Sequence, residues 1–528
     1  MTGPWFAALV VCLAAVLPYL PSLDNYFVND DFGVVRLLSQ KPALYFPRWF
    51  FTSWMDDIFG VTLDEIRPFT AASYQMAAAW GATSPVANHV MNIAFHAANA
   101  LLVLAVARVA GRLSLTASTF AALAFALLPL HAETVVWITG RVDSIPAVFF
   151  IGSFLAYASW RRGGGVSTRL YLCSLALFFG ALFSKQNTIV MVVALLLYDQ
   201  LVERRPVRWS WSWLAPYLPF AILTSGYLLL RYALFGEVAR EGQLAVIDLG
   251  LVRIFVGKHL QRMFFGGEIA RYPAGYIAAV VVTAGVYLLT RGRGNSSRQR
   301  ESGLVLFFGP CWWILGLAPL VVVAYESNRH VYLAAVGWAI VLGLAFDALW
   351  RHRHAAARSV TVLASVGLLA FYTIRLQAEV ADWRVRASVS QQMVADLERE
   401  VQAAPQGSLV IVGASTRSWE WSLPFPAQPP FTRADLTERV SMISPVLLDC
   451  CRLRWPDATR ARILSWSQRP AAPVLALRWD PRTGAYASLT DAEDPALRAE
   501  TMALLDADTA EALDLAILKM LRRVPEAN

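Results

Sequence analysis

Residues 88–112 read NHVMNIAFHAANALLVLAVARVAGR, and the fold turns on this stretch. Residues 88–107 contain no Asp, Glu, Lys or Arg. That matches the roughly 17–25 mostly apolar residues an α-helix needs to cross a bilayer core. Arg108 and Arg112 close the run on one side, where a span meets the cytoplasm. Working outward, similar runs lie near 5–22, 116–130, 144–160, 170–184, 188–202, 213–231, 274–290, 304–324, 331–349 and 359–377, which predicts about eleven spans. The composition agrees: 57% of the 528 residues are hydrophobic and only 16% charged, with a mean hydropathy of +0.46. Such a balance excludes a water-soluble enzyme for most of the length.

The net charge is +8, but it is unevenly spread. Residues 1–377 carry 29 basic and 18 acidic side chains, whereas residues 378–528 carry 17 and 20. The basic excess therefore belongs to the membrane half, where it falls in short loops and implies no nucleic-acid partner. Arg108 and Arg112, then Arg161, Arg162 and Arg169, then Arg204, Arg205 and Arg208, then Arg291, Arg293, Arg298 and Arg300, then Arg351, Arg353 and Arg358 mark every second loop. This alternation puts the N-terminus inside and the tail after Gln377 outside, in a membrane whose arginine-rich loops suit a bacterial inner membrane. Trp5 to Leu20 lacks a basic flank and a cleavage pattern, and reads as an uncleaved first span. Cys12, Cys173 and Cys311 lie in apolar runs and Cys450 and Cys451 are adjacent, so neither a disulfide framework nor a zinc site is expected.

The outer loops carry the chemistry. The first, residues 23–87, holds Asp24, Asp30, Asp31, Asp56, Asp57, Asp64 and Glu65, with interfacial helices expected over Phe32–Leu38 and Phe69–Trp80. The fourth, residues 232–273, has another at Leu249–Phe265. Beyond residue 377 the composition is that of a small α+β outer domain, with a polar helix Glu379–Ala403, strands Ser408–Gly413 and Pro473–Arg478, helices within Asp494–Arg523, and a proline-rich loop over Pro424–Pro430.

Asn29-Asp30-Asp31 follows the first span. Adjacent carboxylates there can take a proton from a hydroxyl or hold a cation, or simply cap the following helix. His131, Glu133, Arg141 and Asp143 lie within thirteen positions; they form a packed polar site or a loop fastened by an ion pair from Arg141 to Asp143 or Glu133. His131 and Glu133 alone make a weak metal pair. Lys185, one of only four lysines, suits a phosphate as a point charge, or anchors its span by snorkelling. Arg329-His330 is a further cation at the same level. His89 and His96, seven apart on one helical face, read as packing or hydrogen-bonding groups rather than ligands.

Taken in order, Asn29-Asp30-Asp31-Phe32, Arg67-Pro68-Phe69-Thr70, Asn88-His89 with His96, Leu130-His131-Ala132-Glu133, Gly140-Arg141-Val142-Asp143 and Ser184-Lys185-Gln186 resemble a known pattern. It is that of the membrane half of the transmembrane and tetratricopeptide-repeat O-mannosyltransferases, within the GT-C glycosyltransferases that also include protein O-mannosyltransferases. Arg329-His330-Val331-Tyr332-Leu333 is similar to that family's Glu-Arg-x-x-Tyr-Leu segment. Gln186 stands where the family has Glu, and no tetratricopeptide repeat follows.

The resemblance implies a polytopic helical enzyme that moves a sugar, with inversion, from a polyprenyl-phosphate carrier to a glycan, lipid or protein acceptor on the outer face. It implies Asp30 or Asp31 as general base, with Asp30 favoured. Lys185, Arg329 and Arg141 are then expected at the donor phosphate, and His131, Glu133, Asp143, Arg67 and His89 as orienting groups. No cofactor is required by this reading, with a divalent metal left open as an addition. A transporter or flippase and a non-catalytic scaffold of a glycan-assembly system are the alternatives; the first is disfavoured by the lack of an internal repeat, and the second has Gln186 in its favour.

Overall fold

The computed structural model describes residues 3–55, 65–81, 84–207, 210–238, 249–266, 273–280, 297–321, 327–351, 355–448 and 453–525. Asp56, Asp57, Asp64, Tyr325, Glu326, Cys450, Cys451, several basic-loop arginines (Arg208, Arg291, Arg293, Arg353) and most of the expected span 274–290 lie outside them.

Ten of the expected spans coincide with an apolar helix. They are α1 (Pro4–Val16, continued by a 3-10 turn, Leu17–Ser22), α4 (Pro85–Val109), α5 (Leu115–Ala126), α7 (Arg141–Arg162), α8 (Thr168–Leu182), α9 (Met191–Leu201), α11 (Leu218–Phe235), α13 (Ser297–Val321), α14 (Ala335–Trp350) and the first half of α15 (Ala355–Ala403). Among the described residues, five helices are by length and composition suited to crossing a membrane, and five more are apolar but shorter. Helices α2 (Asp31–Ser39), α3 (Pro68–Gly81) and α12 (Leu249–Phe265) form where interfacial helices were expected; α6 (His131–Val136) and the short α10 (Trp211–Leu214) complete this half of the chain.

Local chemistry sets these boundaries. Ser84, Ser114 and Ser167 cap α4, α5 and α8 by accepting amides of the first turn, with proline entering α4 at its first position. Helices then pack through small residues, as in membrane bundles. At the α13–α14 crossing a Cβ on Gly337 would lie 2.4 Å from the Gly309 carbonyl oxygen, so only glycine permits that approach. The arginine-rich turns gather at one end of the bundle, where Arg112 meets Glu203 at 3.2 Å and Arg162 bonds the Val109 carbonyl at 2.7 Å. Asp143, Lys185 and Arg329 meet at the other.

The expected break at residue 377 falls inside one helix. α15 runs 49 residues without proline, so nothing in its backbone chemistry stops it where the composition changes, and it carries the chain about 70 Å from span into the C-terminal domain. There a four-stranded sheet has the order β2-β1-β5-β6: β1 (Leu409–Gly413) pairs in parallel with β2 (Ser441–Ile443) and β5 (Val474–Asp480), and β6 (Ala485–Thr490) closes a hairpin on β5. β3 (Leu447–Leu448) and β4 (Leu453–Arg454) form a small separate pair, and α16 (Arg417–Trp421), α17 (Pro456–Ser467), α18 (Ala496–Ala503) and α19 (Ala510–Arg522) cover the sheet. The sheet's core is continuous with the first outer loop, because Phe27, Phe32, Trp49 and Trp54 are buried in the same cluster as β1 and β5. The proline-rich loop supplies part of the joint: Phe431 packs edge-on against Phe27 (5.0 Å) and Phe32 (4.9 Å).

Candidate active site

The two adjacent aspartates, alike in sequence, have different surroundings. Neither caps α2. Asp31 is 1% exposed and its carboxylate is consumed: Oδ1 accepts the Thr139 backbone N–H (2.8 Å) and hydroxyl (2.6 Å), and Oδ2 accepts the Val28 N–H (2.9 Å). It latches the first outer loop to the turn before α7. Trp137, whose indole donates to the Val28 carbonyl at 3.1 Å, and Asn92, whose amide reaches the carbonyls of Val135, Trp137 and Ile138, hold the same turn. Gly140 is required there, since a Cβ would sit 2.4 Å from the Glu133 carbonyl oxygen.

Asp30 is half-buried, with the charges of Arg329 and Glu65 acting on its carboxyl. Burial pushes its pKa up to about 6, with Arg329 opposing the rise and Glu65 adding to it. Burial likewise raises Asp31, to about 7, against its three hydrogen bonds. A carboxylate near neutrality with a free face is suited to accept a proton; one whose oxygens are filled is suited to hold structure.

Arg329 also belongs to a cation cluster. Lys185, in the turn after α8, places Nζ 2.5 Å from Asp143 Oδ1 on α7. Arg329, in the turn before α14, places Nε 3.6 Å from the other carboxylate oxygen and its guanidinium 4.7 Å from the Trp137 ring centre. One carboxylate thus aligns two cations brought from two turns far apart in sequence. Burial lowers the Lys185 ammonium to about 8, with Arg67 and Arg329 adding to the fall and Asp143 opposing it. Arg67 stands alongside, paired to Glu65 at 2.9 Å and 3.5 Å from the Gln186 amide oxygen; Glu65 also accepts the Trp54 indole N–H at 2.9 Å.

The remaining expected residues are distributed differently. Arg141, expected at the donor phosphate, is fully buried, and its nitrogens are directed at protein acceptors: Asn88 Oδ1 (2.8 Å) and carbonyl (3.0 Å), the Ile138 carbonyl (3.3 Å) and Ser73 (3.4 Å). The guanidinium lies 4.3 Å over the Tyr74 ring, and Asp143 pairs with Lys185 rather than with Arg141. Arg141 therefore fastens α3 and α4 to α7, because nothing in that pocket leaves a donor for a ligand. His131 is buried among His96, Phe125 and Tyr332, and burial, reinforced by His96, holds its imidazole well below its ordinary pKa and neutral. Glu133 is bonded by the Ser327 hydroxyl, joining α6 to the turn that carries Arg329. His89 bonds the Asn25 carbonyl at 3.0 Å and so fixes the first outer loop to α4; His96 bonds Tyr332 (2.8 Å) and the Ala126 carbonyl (3.0 Å). Among the described residues no group of three or more His, Cys, Asp or Glu is arranged to hold a metal.

Sequence reasoning missed Thr139, Ser327 and Trp54 as neighbours of the site. Thr139 and Ser327 are close in sequence to residues singled out, at 139 beside Arg141 and 327 beside Arg329.

The bundle with its C-terminal domain defines a class: an integral-membrane protein with the fold of GT-C glycosyltransferases. It superposes on ArnT of Cupriavidus metallidurans, solved bound to undecaprenyl phosphate, with a TM-score of 0.50 at 12% identity, over 90% of this chain and 93% of that one. The archaeal oligosaccharyltransferase AglB of Archaeoglobus fulgidus, solved with an inhibitory peptide and a dolichol-phosphate, gives 0.51 at 11% identity, over 97% of this chain and 72% of that one. No family model matches the chain. In sequence it is 30% identical to protein O-mannosyl-transferase TMTC4 of Homo sapiens over 227 residues, 38% of this chain and 30% of that protein. It is also 32% identical to protein O-mannosyl-transferase TMTC3 of Mus musculus over 155 residues, 28% of this chain and 16% of that protein. The matched segment thus spans less than a third of either relative's length.

Proposed function

We propose that the chain is a glycosyltransferase that takes a sugar from a polyprenyl-phosphate carrier and passes it, with inversion, to an acceptor hydroxyl on the outer face of a bacterial inner membrane. One observation carries this reading: Asp143 gathers Lys185 and Arg329 into a buried pair of cations, and Arg329 also acts electrostatically on the half-buried Asp30. Two cations on one carboxylate leave a net positive charge, which is the complement of a phosphate leaving group.

The step follows from that geometry. The Asp30 carboxylate takes the acceptor hydroxyl proton as the acceptor oxygen forms its bond to the anomeric carbon. The bond from that carbon to the phosphate oxygen breaks, and the electron pair leaves with the polyprenyl phosphate. Charge on that phosphate grows as the bond breaks, so Lys185 and Arg329 interact more strongly with the transition state than with the ground state. Asp31, Arg141, His131, His89 and Glu133 serve by holding the loops that carry these groups, and Arg67 lines the cluster at Gln186. In this reading the carrier's isoprenoid tail enters from the lipid beside α2, α3 and α12. The likeness to solved membrane transferases supports the fold on which this reading rests.

Purified protein in lipid nanodiscs, supplied with polyprenyl-phosphate sugars and a mixture of glycan, lipid and peptide acceptors, is expected to release polyprenyl phosphate, and Asp30→Asn to abolish that release. Movement of the intact lipid-linked sugar across the membrane without its cleavage would establish a flippase instead, and no consumption of any donor would establish a scaffold.

A further inference from the structure

We propose that Trp137 is a positioning residue for Arg329, holding that guanidinium in register with the loop that carries Asp30, and that Trp383 on α15 backs it by stacking. The inference rests on the reading of Arg329 as a cation at the donor phosphate. A charge helps a leaving group only from a fixed place, and the ion pair to Asp143 does not by itself fix this one. At 3.6 Å it is longer than a hydrogen bond, so it attracts the guanidinium without orienting it. A planar cation is oriented by a planar partner. The Arg329 guanidinium lies 4.7 Å from the centre of the Trp137 ring, within the range where a ring's quadrupole attracts a cation.

Trp137 touches both halves of the proposed chemistry. Its ring meets Arg329, while its indole N–H donates to the carbonyl of Val28, two residues before Asp30, at 3.1 Å. The residue is itself held: its own carbonyl accepts the Asn92 amide at 2.8 Å, and its side chain is buried. On Trp383 it stacks nearly parallel, with 16° between the planes and 5.9 Å between the ring centres. Trp383 is buried too, and Arg386, one turn further along α15, lies 4.9 Å over its ring, so each guanidinium has a ring of its own. A second tie runs alongside, because Glu133, on the helix just before Trp137, accepts the Ser327 hydroxyl from the turn that carries Arg329. Arg329 thus follows α6 and Trp137 as a unit, and α15, which leads from the last span into the C-terminal domain, sets where the ring stands.

The test is a double-mutant cycle on kcat for release of polyprenyl phosphate by the full chain in nanodiscs. Trp137→Leu removes the ring and the indole donor and is expected to lower kcat about 10- to 30-fold. Trp137→Phe, which keeps a face for the cation, is expected to stay within about threefold of the native chain, the share that belongs to the Val28 bond. In an Arg329→Met background Trp137→Leu is expected to cost no more than that same share, about threefold, since the group it positions is gone. A tryptophan that merely supports the fold would slow both backgrounds equally, so losses that multiply, or a Phe variant as slow as the Leu variant, overturn the proposal. Should Trp137→Leu fail to fold, Trp383→Leu decides in the same cycle: a loss of about threefold with Arg329 present and none without it is expected. An equal loss in both backgrounds, or none in either, overturns the proposal. Arg329→Met alone separates the two readings. Unchanged turnover there removes Arg329 from the phosphate site and this proposal with it, whereas a slowed Arg329→Met beside losses that multiply overturns this proposal alone.

Discussion

Replacing Lys185 by methionine separates a phosphate-binding ammonium from a span anchor, because the structure assigns different magnitudes to the two roles. At an effective dielectric of about 20, the gross attraction between Nζ and Asp143 at 2.5 Å is about 7 kcal/mol, and that of Arg329 for the same carboxylate at 3.6 Å about 5 kcal/mol. Desolvation offsets most of both. Deleting one partner of a buried pair ordinarily costs about 3–5 kcal/mol. Here Arg329 still compensates Asp143, so Lys185→Met is expected below that range, a melting-temperature loss of a few degrees. The chemical cost is separate: losing a fixed cation at the leaving group removes about 2–4 kcal/mol of transition-state stabilisation, on the order of 30- to 10³-fold in kcat. Lys185→Arg restores the charge but not the compact geometry, and is expected to recover only part of the rate. Donor-cleavage rates and thermal unfolding of both variants at pH 7 supply the two numbers. An unchanged kcat with a lowered melting temperature in Lys185→Met would refute the phosphate role.

The titrations place limits on pH. With Asp30 raised to about 6 and Lys185 lowered to about 8, the base is lost by protonation below the first value and the cation by deprotonation above the second; kcat against pH is therefore expected to be bell-shaped, and Lys185→Arg to push back the alkaline limb. Asp30→Asn is expected to lower turnover by roughly 10²-fold or more with the melting temperature kept. Asp31→Asn, which puts an amide where three donors converge, should instead cost about 1–3 kcal/mol in stability, read by denaturant unfolding. Gly140→Ala, with its Cβ 2.4 Å from a backbone oxygen, is expected to destabilise by about 1–3 kcal/mol and to lower activity as the Asp31–Thr139 latch shifts. In a cysteine-free background, Asp457→Cys is expected to label with an impermeant maleimide from outside the membrane and Val166→Cys only after permeabilisation; the reverse pattern would invert the proposed topology.

The sequence by itself determined the membrane class and ten of the helices, because a bilayer's demand for about twenty apolar positions is met locally, run by run. It also marked Asp30, Asp31, Asp143, Lys185 and Arg329 as unusual for their setting. It could not divide labour among them. Asp30 and Asp31 are adjacent and chemically identical, and only the approach of Thr139 and Val28 makes one a latch while the other stays half-buried near Arg329. Arg141 and Lys185 were equal candidates for a phosphate until packing directed the first at Asn88 and Tyr74 and the second at Asp143. Composition changes at residue 377, but a helix ends only where its backbone is interrupted, and α15 runs on through that change to Ala403. Trp383, far along the chain from the Trp137 ring on which it stacks, has no neighbour in sequence that hints at its place. Contacts of that separation depend on how the elements dock, and docking is a property of the assembled tertiary structure rather than of any window of the chain.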